Sequence, residues 1–535
     1  MPSQRPTKVL ILGGGYVAIY AVKALKTAIR RREVDVTVID KNNYHCFHGL
    51  VPEMLVGKIQ AGQIISPARR IFSPARFVLA DVEAVDTERK QAQVRRGHDD
   101  EIVTIDYDHL IVGLGSVDNL TRYRGIGEHT LRLKSYWDII GVRNRILSML
   151  EMAELEDDPE ERRRLLHFVI AGGNYAGVEV AAELGAFLNG LAKREFRSLR
   201  GGEARVTLVH SGDHVLPELG QHFPKLSQKA ARDLQTVGVQ LKLGLRLESA
   251  TPLEAVLNDG SRLPSRTIIS CTGTAQSPVL ATLPFDRDRH GRLVADAFGC
   301  VDHDAQIWTG GDCGSIPMPK GGTAPPLALY AMQAGRTIGR NILRQLRGRP
   351  LKPYNFGGMG DCCQLSTGKG VGQMYGIQVS GWICWFLWRS FMLAYLPSWM
   401  KRVRTMLDWL TTPFLGRDII AVTAPNEMGV NQVLFEPGQY IVNEGDVGRA
   451  MFLIRSGEVD VIRKDQEGGE THIATLGPGE HFGEVAVLNN VRRTASVRAR
   501  SAVNLLKIGQ EQANLLTSSY QGFGEIAATA ERRSA

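Results

Sequence analysis

Long hydrophobic runs are missing from this 535-residue chain. The longest, around Trp382 to Leu396, is interrupted by Arg389 and falls short of the roughly twenty apolar residues that a membrane-spanning helix needs. Cysteine is sparse as well. The seven present are scattered, with no paired spacing for zinc and no disulfide framework, so a reducing cytoplasm is expected and no metal site is assigned. Cys46 is followed five residues later by Val51, which removes a redox-active CxxxxC dithiol. The apolar strand beginning at Lys8 leaves no room for a secretory leader. Charge of one sign is also scarce: a formal +8 is modest for this length and gives no reason to expect nucleic acid as a partner. A membrane surface or anionic cofactors account for it equally well. Of seven tryptophans, five fall between 382 and 409. Hydrophobic residues make up 43%, enough for buried cores, and the length suits three or four domains.

The most informative stretch runs from Lys8 to Asp40. Lys8 to Leu12 reads as a buried parallel strand, Gly13-Gly14-Gly15-Tyr16-Val17-Ala18 as a turn, Ile19 to Arg30 as a helix, and Val34 to Ile39 as a second strand ending in Asp40. This is the dinucleotide-binding fingerprint, with Gly13, Gly15 and Ala18 in register. Gly13 permits the tight turn, Gly15 lets backbone approach a pyrophosphate, and Ala18 lets helix and strand pack closely. The helix N-terminus supplies free N–H groups to phosphate, and Asp40 is placed to accept from a ribose. His45 and His48, which follow, read as loop or core histidines. Residues 77 to 112 look like β structure, and Tyr107 to Ser116 reads as a buried strand running into a glycine turn, which returns the chain beneath the first cofactor.

A second unit begins at His167 to Ala171, turns at Gly172-Gly173-Asn174-Tyr175-Ala176-Gly177, and continues as a helix to about Leu191. Its second strand, Arg205 to Val209, ends at His210. Asn174 replaces the middle glycine and should crowd the pyrophosphate. His210 stands where the ribose-binding acid belongs. The charged stretch Ser148 to Arg164 reads as a solvated helical face. Ile307 to Thr309 runs into Gly310-Gly311-Asp312, and a strand ending in Gly-Asp can place its carboxylate on a flavin's ribityl chain.

On these residues, together with Asn42-Asn43-Tyr44-His45 and Gly177-Val178-Glu179, residues 7 to 417 resemble the type II NADH dehydrogenases. These are single-subunit flavoproteins that pass electrons from NADH to quinone without pumping ions. The resemblance implies an α/β fold of two Rossmann-like domains, the second inserted in the first. The expected boundaries are 1–120 with 265–350 for FAD, 121–264 for NAD(P)H, and 351–420 for a C-terminal membrane-docking segment. It implies FAD at Gly13, Gly15, Ala18, Asp40, Gly311 and Asp312, and the nicotinamide nucleotide at Gly172, Gly177 and His210. Glu179 is expected near the nicotinamide–flavin contact and Gln333 on the quinone side. Two departures stand out. Leu329 and Ala334 occupy positions where the family carries glutamines, leaving Gln333 with Tyr330 as a stand-in. His210 lacks the acid's discrimination against a 2′-phosphate, so NADPH is open beside NADH.

From Gly381 the composition shifts. Trp382, Trp385 and Trp388 lie in a stretch apolar all round, followed by Trp399, the bases Lys401, Arg402 and Arg404, and apolar residues at helical spacing. Tryptophan beside basic residues and one apolar face describe an interfacial helix pair, peripheral on the cytoplasmic face of a membrane. A self-packed hairpin or a homodimer interface is the alternative.

Beyond Pro425 short strands and turns recur as in a small β-barrel. Phe482-Gly483-Glu484 through Arg493-Thr494 resembles the phosphate cassette of cyclic nucleotide-binding domains, over 425–535 as bounded here. Gly483 faces the cyclic phosphate, Arg493 neutralises it, and Glu484 takes the ribose hydroxyl. Thr494 leaves cAMP and cGMP both open. Because the cassette follows directly on the apolar helices, its ligand is expected to act through them on acceptor turnover, and less on flavin reduction. Three functions fit: an NAD(P)H:quinone oxidoreductase regulated by cyclic nucleotide, a reductase with another acceptor, or a sensor whose redox half has lost its substrate.

Overall fold

Val9 to Leu12 are fully buried, as four consecutive apolar residues inside a parallel sheet must be. The computed structural model describes residues 5–97, 101–119, 122–191, 195–196, 198–199, 202–302, 304, 306–319, 321–421, 431–446, 448, 450–464, 470–489, 491–510 and 512–513. Strand Thr7–Leu12 is an interior strand of a seven-stranded sheet, between His109–Val112 and Val34–Asp40. Ile307–Thr309 closes one edge in parallel, nearly two hundred positions after its neighbour His109–Val112. The other edge is an antiparallel meander, Arg76–Asp86, Gln91–Arg96 and Ile102–Asp106.

Helix Tyr16–Arg30 turns Val17, Ala18, Ala21, Val22, Leu25 and Ala28 inward at helical spacing. Its other neighbour is the helix Ala328–Leu346, which approaches unusually closely because Gly335 and Gly339 face it. A methyl group at Gly335 would fall on the Val17 carbonyl oxygen, and one at Gly339 would lie 2.9 Å from that of Ala21. The chain therefore joins its two distant halves through backbone contact.

A second sheet, parallel throughout, has the order Val239–Leu243, Arg205–His210, His167–Ala171, Thr267–Ser270. Helix Tyr175–Leu191 packs on it. The charged stretch before this sheet differs from expectation. Tyr136–Glu154 is one helix, opened by a Ser135–Asp138 capping box, and Pro159–Leu165 is a second one starting at Asp158. The charges are not simply solvated: Arg162 bonds Glu203 at 2.5 Å and the Ala153 carbonyl, and Arg266 bonds Glu161 at 2.6 Å. They tie the helix pair back onto the second unit.

After a three-stranded antiparallel sheet spanning 360 to 380 come helices Gly381–Tyr395 and Trp399–Leu415. Among the described residues no helix is long and apolar enough to cross a membrane. The last region forms two four-stranded antiparallel sheets, with Glu484–Leu488 as a short helix. The segment after Gln510, read from sequence as a short closing helix, lies outside the described residues beyond Ala513.

Candidate functional site

Both fingerprints make the same turn, and each fixes it with the last residue of its second strand. In the first, the Gly14 N–H donates to Asp40 Oδ2 at 2.6 Å and the Asn42 N–H to Oδ1 at 2.7 Å. Each carboxylate oxygen keeps lone pairs for a ligand. Burial raises the Asp40 pKa while these two bonds oppose the rise. Gly13 has φ +93°, and a side chain there would strike the Gly113 carbonyl. A methyl at Gly15 would find nothing closer than 3.9 Å, so its backbone faces open space, the flank a phosphate needs. Ala18 is buried between helix and sheet. Gly311, φ +70°, brings Asp312 to the same cavity of about 390 Å³, where Ser116 Oγ donates to Asp312 Oδ2 at 2.7 Å and Lys134 stands 3.8 Å away. These groups fit a flavin dinucleotide: open N–H groups at one end, and a carboxylate beside a lysine at the other.

His45 and His48 line this cavity but are held by backbone carbonyls, those of Gly14 and Lys134. Burial pushes the His45 pKa down to about 4. Burial likewise pushes the Cys46 thiol up to about 12, the opposite of an activated nucleophile.

In the second fingerprint the Gly173 N–H donates to His210 Nδ1 at 3.2 Å, the counterpart of the Gly14–Asp40 bond. Nδ1 is thus the acceptor and the proton sits on Nε2, which is buried without a partner. Burial and His214 hold the imidazole pKa below its usual value, so it is neutral at neutral pH. Gly172 has φ +114°, and a methyl at Gly177 would overlap the Gly172 carbonyl. Asn174 is tied down: its Oδ1 accepts from Gly177 N–H at 3.0 Å and its Nδ2 donates to the Cys271 carbonyl at 2.9 Å. The expected crowding is therefore a capping interaction that uses one helix N–H. The adjoining cavity, about 680 Å³, is walled by Arg122, Tyr123, Gly173, His210, Arg246 and Glu248.

Glu179 is buried on the second fingerprint helix. Its Oε1 accepts from the Gln364 N–H at 3.0 Å, and burial, with Glu183 and Glu53 nearby, raises its pKa to about 8. A network lies behind it. The Gln364 amide bonds Glu53 at 2.9 Å and Glu183 at 2.6 Å, Lys58 pairs with Glu183 at 2.7 Å, and Arg389 pairs with Glu53 at 2.6 Å. Arg389 is sandwiched between the rings of Trp385 and Trp409, 4.3 Å from each, and Trp409 also donates to Glu53. Lys58, Arg389 and Trp409 also line a cavity of about 780 Å³ beneath the two apolar helices. Sequence reasoning missed this network, although Glu183, four residues after Glu179 in an otherwise apolar helix, was a signal that both carboxylates face inward.

Gln333 is half-buried and accepts from Arg336 at 3.2 Å. The residues of its helix that line the first cavity are Ala328 and Ala331, so the structure does not bring Gln333 to that cavity. The tryptophan cluster also divides. Trp382 is 62% and Trp399 75% exposed, but Trp388 is 4% exposed within the main core. Trp388, expected from the sequence at a membrane surface, is therefore a core residue, because its side of the helix faces the 360–380 sheet and the core. Trp385 is taken by Arg389. In their place Ile383, Phe386, Leu407, Leu410 and Phe414 are exposed.

In the last region Gly483 has φ +83°, and a methyl there would lie 2.5 Å from Arg493 Nη1. Arg493 is buried, donating to the Gly483 carbonyl at 2.8 Å and the Ala450 carbonyl at 2.6 Å. Glu484 is buried in the same cassette and Thr494 is exposed.

The family model described as pyridine nucleotide-disulphide oxidoreductase matches residues 7–335, and the one described as cyclic nucleotide-binding domain matches residues 432–520. A probable NADH dehydrogenase of Dictyostelium discoideum is 28% identical over 418 residues, covering 77% of this chain and 90% of that protein. A type II NADH:quinone oxidoreductase of Mycobacterium tuberculosis is 28% identical over 434 residues, again covering 77% and 90%. The structure of NDH2 from Plasmodium falciparum in complex with NADH superposes with a TM-score of 0.70 at 17% identity, covering 78% of this chain and all of that one. The chain therefore belongs to the pyridine nucleotide-disulphide oxidoreductase family, is similar to type II NADH dehydrogenases over about three quarters of its length, and carries a cyclic nucleotide-binding domain over residues 432–520.

Proposed function

We propose that this protein is a peripheral membrane flavoenzyme that oxidises NADH, or NADPH, and reduces a quinone, under control of a cyclic nucleotide. The observation that carries the reading is the pairing of two dinucleotide turns, each closed by its own strand-end residue, with the buried Glu179 on the helix that follows the second. Gly13, Gly15, Ala18, Asp40, Gly311 and Asp312 would hold FAD. Gly172, Gly177 and His210 would hold the nicotinamide nucleotide. Bound FAD would supply the two-electron chemistry, which belongs to the flavin rather than to any side chain. Quinone reduction takes up two protons, and Glu179, with a pKa of about 8, holds one at neutral pH. Gln364, Glu183 and Lys58 connect Glu179 to the aromatic-walled cavity beneath the apolar helices.

Gly483, Glu484 and Arg493 would hold cAMP or cGMP, with Thr494 beside the base. Trp382, Phe386 and Trp399 would seat the helix pair in the headgroup layer on the cytoplasmic face. A reductase with a different acceptor is the second reading. Gln333 bonded to Arg336, with Leu329 and Ala334 where the family has glutamines, favours it. Anaerobic mixing of the purified protein with NADH and with NADPH, followed by flavin absorbance, tests the redox reading. Rapid bleaching with at least one is expected, and none with either would leave only a sensor. Addition of ubiquinone to the bleached protein should restore the absorbance; failure to do so would favour the second reading.

A further inference from the structure

The cyclic nucleotide-binding domain rests on the wall of the nicotinamide-nucleotide cavity. The Leu434 N–H donates to His129 Nε2, Glu436 pairs with Arg124 at 3.3 Å, and the Gln439 amide donates to Glu254 at 2.8 Å and Thr251 at 3.3 Å. Burial in this contact holds His129 near a pKa of about 4, so it is the neutral acceptor that a backbone N–H requires.

The surface being touched is part of the cavity wall. Arg122 and Tyr123 line the cavity, and Arg124 follows at once. Arg124 is bridged to Ser249 of the hairpin formed by strands Leu247–Ala250 and Glu254–Leu257, with the Ala250 N–H donating to the Arg124 carbonyl at 3.0 Å, and Leu245 to Glu248, where that hairpin begins, also line the cavity. Gly125 has φ +74°, and a methyl there would meet the Ala250 carbonyl, so the segment is seated on the hairpin without slack. A shift of Arg124 is passed to the cavity because close-packed backbone has no room to absorb it.

The sensor side offers an equally short route. Asn431–Phe435, which carries Leu434, pairs with Val503–Gly509, which pairs with Ala450–Ser456. The Ala450 carbonyl is one of the two acceptors that hold Arg493. A cyclic phosphate offers Arg493 a charged, bidentate acceptor in place of a neutral carbonyl, and so draws the guanidinium off Ala450. The contact is polar and carries like charges: burial, with the positive charges of Arg145 and Arg266 nearby, holds the Lys507 pKa down. Such an interface can be loosened at modest cost.

We infer that cyclic nucleotide bound at Glu484 and Arg493 acts through the contact of Leu434, Glu436 and Gln439 with His129, Arg124 and Glu254, and so changes the affinity for the nicotinamide nucleotide. The inference rests on the reading of the cassette as a binding site. It places the regulated step at the opposite end of the reaction from the apolar helices.

Calorimetry on the full chain tests it, titrating NAD⁺ and NADP⁺ with and without saturating cAMP or cGMP. At least one cyclic nucleotide should shift the dissociation constant by about five-fold or more, and the dinucleotide should shift cyclic nucleotide binding by the same factor, as linkage requires. Glu436→Arg should retain cyclic nucleotide binding and bring the shift close to one. Adding Arg124→Glu to it should restore the shift, which a misfolded variant would not do. If cyclic nucleotide binds and both dinucleotide affinities stay equal, the coupling is overturned while the binding site stands. If neither cyclic nucleotide binds, the cassette reading falls and takes the coupling with it. A change confined to the quinone KM also overturns it and returns control to the apolar helices.

Discussion

Asp40 and His210 occupy equivalent positions, and each accepts the N–H of the second glycine of its turn, but only Asp40 carries charge. A neutral imidazole does not repel a 2′-phosphate. NADH and NADPH should therefore differ by less than a hundredfold in kcat/KM, equivalent to about 2.7 kcal/mol. His210→Glu should move the preference toward NADH; a parent already preferring NADH a hundredfold would show that His210 does not set this choice. Glu179 makes a second case at this scale. Its pKa of about 8 lies above the ordinary value of 4.5. The native state thus keeps a proton that the unfolded chain loses, so this group's contribution is fully present below about 4.5 and fades as pH rises through about 8. Glu179→Gln should narrow the loss of melting temperature between pH 5 and 9, read by thermal unfolding at each pH. It should also remove an ionisation near 8 from the pH profile of quinone reduction. Unchanged slopes in both would place the titrating group elsewhere.

Among the elements, helix Gly381–Tyr395 has two unlike faces, one buried and one exposed. Trp388 and Cys384 belong to the core, whereas Trp382 and Phe386 stack on each other at the surface, 5.5 Å between ring centres. Exchanging Trp382 and Phe386 together for serine should release the protein from anionic lipid vesicles with flavin retained. Unchanged sedimentation with vesicles, joined by loss of a dimer in ultracentrifugation, would make this face a subunit interface instead. Trp388→Ala should act differently, destabilising the fold by about 3–5 kcal/mol through a core cavity. The helix pair Tyr16–Arg30 and Ala328–Leu346 depends on Gly335 in the same local way. Gly335→Ala should cost about 1–3 kcal/mol by forcing the helices apart, and should weaken flavin retention because Ala328 and Ala331 line that cavity. Denaturant midpoints and flavin release on dilution would check both effects.

At the scale of the whole molecule, polar contacts between residues far apart in sequence join its parts. The pair of Arg143 with Asp418 and the buried pair of Arg389 with Glu53 fasten the apolar helices to the body, and Glu436 with Arg124 fastens the sensor. Arg493→Ala should abolish cyclic nucleotide binding in calorimetry while NAD(P)H oxidation without cyclic nucleotide stays within about two-fold, since a surface-distant change adds independently. A large fall in that basal rate would mean that Arg493 supports the body through the domain contact. A ligand alters the other sites only by the difference in its affinity for their states, so the sign of control follows from which state the docked sensor favours.

The order of the chain alone determined the two strand–glycine–helix units, the Gly-Asp strand, the apolar helix pair and the cassette, because each is encoded within about thirty consecutive residues. Periodicity and turn chemistry are local quantities, and so are glycines at positive φ such as Gly13, Gly172 and Gly483. Tertiary structure alone decided what those units face. Glu53, Lys58, Glu183, Gln364 and Arg389 form one buried network although they span more than three hundred positions. No local pattern marks such a group, since a buried charge is tolerated only where distant partners satisfy it. Trp388 inside and Trp382 outside were indistinguishable in a stretch apolar on every side. The seat of Leu434, Glu436 and Gln439 on His129, Arg124 and Glu254 follows from complementary surfaces more than 180 positions apart, and sequence adjacency carries no information about those.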